Sequence, residues 1–179
     1  VDIYSKRDLA IKVDVAADGS ARVRQALTVH NGAEEHGNDS DTIGYLTNLS
    51  VNDWLFGLPV GATDPRLRAP SGSEKVTEHP DGFGHQVLAT TGELPAGDTA
   101  ELVTEYSLPA GTFTTPEGLE YRTYLNPQPL QNPINMTIDV QLPSGGCNAG
   151  PEWNVSGDSA AFTGELARTE QLWIRCPAS

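Results

Sequence analysis

Residues 9–31 read LAIKVDVAADGSARVRQALTVHN. Ile11, Val13 and Val15 alternate with Lys12 and Asp14, Asp18-Gly19 turns the chain, and Val23, Leu27 and Val29 continue the apolar set on the return. Period-two alternation on both sides of an Asp-Gly pair is a strong β-hairpin signal. It places Arg22 and Arg24 on the opposite, wet face, where they can pair with acidic neighbours on adjacent strands.

The same grammar recurs along the chain. Residues 74–92, EKVTEHPDGFGHQVLATTG, are two short alternating runs around a Pro-Asp-Gly turn. TAELVTEYSL (99–108) and LEYRTYL (119–125) read as further strands, and INMTIDVQLP (134–143) puts Ile134, Met136, Ile138 and Val140 on one face. SAAFTGEL (159–166) and EQLWIRC (170–176) read as a terminal hairpin. IGYLTNLSVNDWLFGLPVGA (43–62) is apolar enough for a short helix, but its Gly and Pro spacing favours strand. No segment holds a 3.6-residue apolar period over ten positions. Three prolines in NPQPLQNP (126–133) remove ladder donors and fix φ, which suits a crossover between two sheets.

These readings predict an all-β fold, an antiparallel immunoglobulin-like sandwich of about eleven strands. With 179 residues, the chain can build one good core or two small ones. One elongated domain over residues 1–179 is expected. The alternative is two stacked lobes, 1–110 and 118–179, divided at AGTFTTPE (110–117).

Composition narrows the role. Eleven Lys and Arg against 24 Asp and Glu give a formal charge of −13, which repels nucleic acid and anionic headgroups. No apolar run approaches a membrane span, and no signal peptide is present. Together with Val1 in place of Met, this suggests a mature or excised piece. Cys147 and Cys176 fit no metal-ligand spacing. A disulfide stapling the last segment to the body of the domain is the leading reading, with two free thiols or a catalytic cysteine as alternatives. A disulfide would place the domain outside the cytoplasm.

The segment VDIYSKRDLAIKVDVAADGSARVRQALTVHNGA (1–33) resembles the start of the C-terminal region of the DUF4012 family, actinobacterial envelope-associated proteins of unassigned function. Asp2, Tyr4, Arg7, Asp18, Gly19 and Asn31 stand at that pattern's positions. LPAGDTAELVTEYSLPAG (94–111) and YRTYLNPQPLQNPINMTIDVQLPSG (121–145) are similar to its later strands and proline-rich crossover. The likeness covers about the first 145 residues; the acidic loop after Asn31 and the cysteine-bearing tail depart from it. The resemblance implies a membrane-anchored protein projecting this domain into the cell envelope. It implies no catalytic residues.

No hydrolase, zincin or phosphate-loop signature occurs. His79 and His85 flank the PDGFG turn and could face each other across a hairpin, although surface placement is the simpler reading. Lys6 and Lys12 are poor candidates for an isopeptide cross-link, since Lys12 alternates onto the polar face. Sequons at Asn38, Asn48, Asn135 and Asn154 match glycosylation acceptors but would stand idle in a bacterial protein. Trp54 and Trp153 are candidates for stacking on sugar rings, although core or edge packing is the favoured reading for each; Trp173 reads as core. In HNGAEEHGNDSD (30–41), Glu34, Glu35, Asn38, Asp39 and Asp41 could hold calcium, with Asp81 or Asp98 contributed from elsewhere. The spacing fails the EF-hand template, and a solvated loop needs nothing more than these residues.

The expected function is a non-catalytic extracellular structural or interaction module of a membrane-anchored envelope protein. Neither a catalytic residue nor a required cofactor is expected. The alternative is a carbohydrate-binding module for cell-wall or capsular polysaccharide. An envelope protein or a polysaccharide is the expected partner of a monomeric domain, with no nucleic acid and no membrane insertion by this segment.

Overall fold

The computed structural model describes residues 5–33, 49–70, 77–80, 86–125 and 132–177. Among them are fourteen strands and no helix. The opening hairpin forms as expected: β1 (Ser5–Val15) pairs with β2 (Ala21–Asn31) from Ser5↔Asn31 to Val15↔Ala21. Gly19 takes φ +76° in the turn, a conformation that favours glycine. The Asp18 carboxylate accepts hydrogen bonds from the Ser20 hydroxyl (2.7 Å) and backbone N–H (3.0 Å), which hold its pKa below the usual carboxylate value. The turn is itself held from outside. Gly111 N donates to the Asp18 carbonyl at 2.9 Å, and Phe113 N donates to the Gly19 carbonyl at 3.2 Å. A Cβ on Gly19 would collide with Thr114 Oγ1.

The hairpin lies at the centre of a seven-stranded sheet. Its order is β12 (Asn154–Ser156), β13 (Ser159–Leu166), β10 (Ile134–Gln141), β1, β2, β7 (Thr99–Leu108), β4 (Thr63–Arg68). One pairing departs from the antiparallel expectation. β10 lies parallel to β1, in register from Asp8↔Asn135 to Asp14↔Gln141. The strand before β10 belongs to a different sheet, Gly118–Leu125 of a four-stranded one, so no hairpin turn imposes an antiparallel sense on β10. Segments on both sides of residues 110–117 therefore share one sheet.

The second layer is split, where a two-sheet sandwich was expected. A four-stranded sheet has the order β11 (Asn148–Ala149), β14 (Glu170–Pro177), β9 (Gly118–Leu125), β8 (Thr114–Thr115). A three-stranded sheet has the order β3 (Leu49–Gly57), β6 (Gln86–Pro95), β5 (Thr77–Pro80). The strand reading of 49–57 and the β5–β6 pairing agree with the sequence. The terminal hairpin does not form, because β13 pairs with β10 in the large sheet while β14 pairs with β9 in the second layer.

The inner face of the large sheet carries the core. Val13, Met136, Ile138 and Val140 pack with Leu172 and Ile174 of β14 and with Tyr121 of β9. Val29, Ala100 and Leu102 form a second cluster with Trp54 and Leu94 of the three-stranded sheet. A polar rung separates the two clusters along β2 and β7. Thr104, fully buried, donates to Gln25 Oε1 at 3.2 Å, and Gln25 Nε2 donates to the Tyr106 hydroxyl at 3.4 Å. Burial pushes the Tyr106 phenol up to about 12 and raises that of Tyr121 as well.

Candidate functional site

Cys147 and Cys176 are joined in a disulfide, and no free cysteine remains. The bond ties the end of β14, in the core, to the segment entering β11. Both thiol alternatives fall away, and the bond is compatible with an oxidising compartment.

The tryptophans do not form a stacking platform. Trp54 is 7% exposed and Trp153 8% exposed, so both stacking assignments are corrected. Trp54 sits on the inward side of β3 among Leu94, Leu102 and Val29. Trp153 folds inward at a turn in which its backbone N–H donates to the Gly150 carbonyl at 3.1 Å. Its ring meets Tyr121 and Phe162 edge-on, with centroids 6.2 and 6.1 Å away. Burying these large rings releases more free energy than any surface position would. Trp173 is half-buried, with the Arg175 guanidinium 5.0 Å from its ring centroid.

Glu34, Glu35, Asn38, Asp39 and Asp41 lie outside the described residues, as do His36, Asp81, His85 and the sequon Asn48. Asp98 does stand at the root of the acidic loop, its carbonyl accepting from Asn31 N at 3.0 Å. Among the described residues no group of three His, Cys, Asp or Glu could hold a metal ion. His79 lies on β5 opposite Val87. His30 Nδ1 is 3.1 Å from Thr99 Oγ1. Asn135 Nδ2 donates to Asp8 Oδ1 at 2.8 Å, and Asn154 is exposed on the edge strand β12. Lys6 and Lys12 are exposed, which removes the burial an isopeptide bond requires.

The large sheet has an outer face, and its residues are set in register. One row runs Thr163, Thr137, Ala10, Ala26, Val103 across five strands. Thr163, Thr137, Ala10 and Ala26 floor a trough of about 530 Å³, flanked by Asp8, Glu101 and Glu165. The next row runs Ala161, Asp139, Lys12, Arg24, Glu105, Arg66. Beyond it Asp14 stands opposite Arg22. These charges line a second trough of about 600 Å³, with Asp64 at its rim. The wet placement of Lys12, Arg22 and Arg24 is legible in the hairpin. Arg66 was missed, because TDPRLR (63–68) offers no clean alternation and joins β7 through a bulge between Thr63 and Arg66.

Electrostatics elsewhere are local. Glu120 on β9 accepts from Arg175 Nε at 2.7 Å and pairs with Arg122, and the Arg175 bond is the main cause of its lowered pKa. No helix among the described residues is long and apolar enough to cross a membrane.

No family model and no curated protein matches the chain. Solved structures do share its fold. A candidate nutrient-binding protein from Legionella pneumophila superposes with TM-score 0.56 at 10% identity, over 97% of this chain and 67% of that one. A candidate protease from Parabacteroides distasonis gives 0.50 at 14% identity, over 99% and 41%. An M1 zinc metallopeptidase from Deinococcus radiodurans gives 0.40 at 16% identity, over 96% and 42%. For the first two, at such identities, the likeness concerns the fold alone. The chain spans from about two-fifths to two-thirds of these proteins' length.

Proposed function

We propose that the chain is a non-catalytic, extracytoplasmic interaction module of a longer, membrane-anchored cell-envelope protein, and that the outer face of its large sheet is the working surface. The observation that carries this is the outer face itself. Seven strands are covered on one side by two smaller sheets, while the other side presents two troughs whose linings are set by strand register. The disulfide supports an extracytoplasmic address. The nutrient-binding and protease structures that share the fold are longer than this chain, which supports a domain working beside another unit. The likeness of residues 1–33 to the DUF4012 pattern supplies the envelope context. The carbohydrate-binding alternative loses its proposed contacts, since Trp54 and Trp153 are core residues.

Co-sedimentation of the purified, oxidised domain with isolated actinobacterial cell walls, in calcium and in EDTA, tests this reading. Pelleting in EDTA that weakens when Ala26→Arg fills the small-residue trough is the expected result. A domain that stays in the supernatant under both conditions overturns it.

A further inference from the structure

We infer that the charged trough on the outer face is a binding site for an oxyanion, of the carboxylate or phosphate class, held by Lys12, Arg22, Arg24 and Arg66. The inference rests on the reading of this face as the working surface and names its ligand chemistry. The first observation is convergence. Lys12 stands directly opposite Arg24, Arg22 lies two residues before Arg24 on the same strand, and Arg66 faces Glu105, which faces Arg24. Neighbouring strands are about 5 Å apart, and residues i and i+2 about 7 Å, so three cations stand within the span of one small anion. All four line one trough of about 600 Å³.

The second observation is that these cations are under-used. Arg24 and Glu105 approach to 3.7 Å, while Lys12, Arg22 and Arg66 make no ion pair among the described residues. The trough is lined by four cations and by Asp14, Asp64 and Glu105, with Asp139 opposite Lys12 on the next strand, in a chain whose formal charge is −13. Four cations gathered on one face of so acidic a protein offer donors to a negative ligand and set its orientation. Lys12 and Arg24 are also like charges directly opposite on the ladder, a repulsion that the flanking Asp139 and Glu105 offset from the outside only. An anion between them turns that repulsion into shared attraction.

The third observation is the rim. Asp64 is the one non-glycine residue with positive φ among the described residues, at 52°, and it sits in the β4 bulge. The bulge interrupts the register after Thr63 and restores it at Arg66, which places that residue opposite Glu105. Bulges re-aim side chains and recur beside binding sites. Guanidinium groups match the forked geometry of carboxylate and phosphate oxygens, and three of the four cations here are arginines.

The test is isothermal titration of the intact, oxidised chain at low salt with three probes: succinate, inorganic phosphate and long-chain polyphosphate. Saturable binding is expected, weakening as salt rises. Arg24→Gln and Arg22→Gln, each with an unchanged urea midpoint, are expected to weaken it about tenfold, the effect of one lost charge-assisted contact. Arg168→Gln, at the far surface, is expected to leave it unchanged. Binding of all three probes assigns the site to free oxyanions, and binding of polyphosphate alone assigns it to a polymer. No saturable binding, or equal loss in Arg168→Gln, overturns the inference. Wall pelleting that persists unchanged in Arg22→Gln and Arg24→Gln would leave the module reading standing without this ligand. Oxyanion binding without wall pelleting would do the reverse.

Discussion

Asn31 and Leu94 belong to different sheets, and a hydrogen bond of 2.9 Å from Asn31 Nδ2 to the Leu94 carbonyl joins them. Asn31 is 4% exposed at the end of β2, and its Oδ1 accepts from Ala33 N at 3.2 Å. Its backbone is also engaged, with Gly97 N donating to the Asn31 carbonyl at 2.7 Å. One residue thus fixes the large sheet to the three-stranded sheet through its side chain and to the β6–β7 turn through its backbone.

Asn31→Ala leaves the Leu94 carbonyl buried without its donor and is expected to cost about 1–3 kcal/mol. A urea midpoint that falls at constant slope would show it. Asn31→Asp should cost at least as much at pH 7, because a carboxylate then faces a carbonyl.

Opening the disulfide should weaken the closure of the domain. The bond closes a loop of 29 residues, for which loop-closure entropy gives about 3–4 kcal/mol. Cys147→Ser with Cys176→Ala is expected to lower the unfolding midpoint accordingly, measured beside the reduced wild type. Equal midpoints for oxidised and reduced protein would contradict the stapling role.

Trp153 separates packing from recognition. Trp153→Ala is expected to cost about 3–5 kcal/mol through the cavity left beside Tyr121 and Phe162. Trp153→Phe should cost less than half as much. It keeps ring contact, and the Nε1–H it removes has no acceptor among the described residues. Wall binding per folded molecule should not change in either variant, and a selective loss of binding would reinstate a ligand-stacking role.

Alkaline unfolding should precede tyrosinate formation in the core. Tyr106 is raised by burial from 10.0 to about 12 in the folded state. Its contribution is therefore complete below pH 10 and is lost as pH rises from 10 towards 12, an effect of about 2–3 kcal/mol. Urea midpoints at pH 8 to 11.5, followed beside phenolate absorbance, should fall together with delayed titration of the buried tyrosines. Tyr106→Phe should flatten that fall.

The sequence showed its local structure well and its long-range structure poorly. The β1–β2 hairpin and the β5–β6 pairing are visible because alternation and turn residues are neighbours in the chain. Nothing local marks Leu9 as the partner of Met136, so the parallel rung stays hidden. LARTE (166–170) resembles a hairpin turn, yet the strands on either side go to different layers. For the site, three of four cations could be placed on the wet face. The troughs could not, because their shape depends on which strands stand side by side. Core packing, the favoured reading for the tryptophans, agrees with their burial; Trp153 stood as a stacking candidate because it follows a loop, and loop residues can point inward when a turn bond directs them.

The parallel β1–β10 rung has a consequence for how the chain folds. Asp8 meets Asn135 across 127 residues, so one side of the opening hairpin stays unsatisfied until the tenth strand is available. At synthesis rates of about 5–20 residues per second, that wait is roughly 6–25 s. During it the hairpin exposes a bare central edge with an apolar face, the template for off-pathway strand pairing. High contact order makes the closing step slow as well.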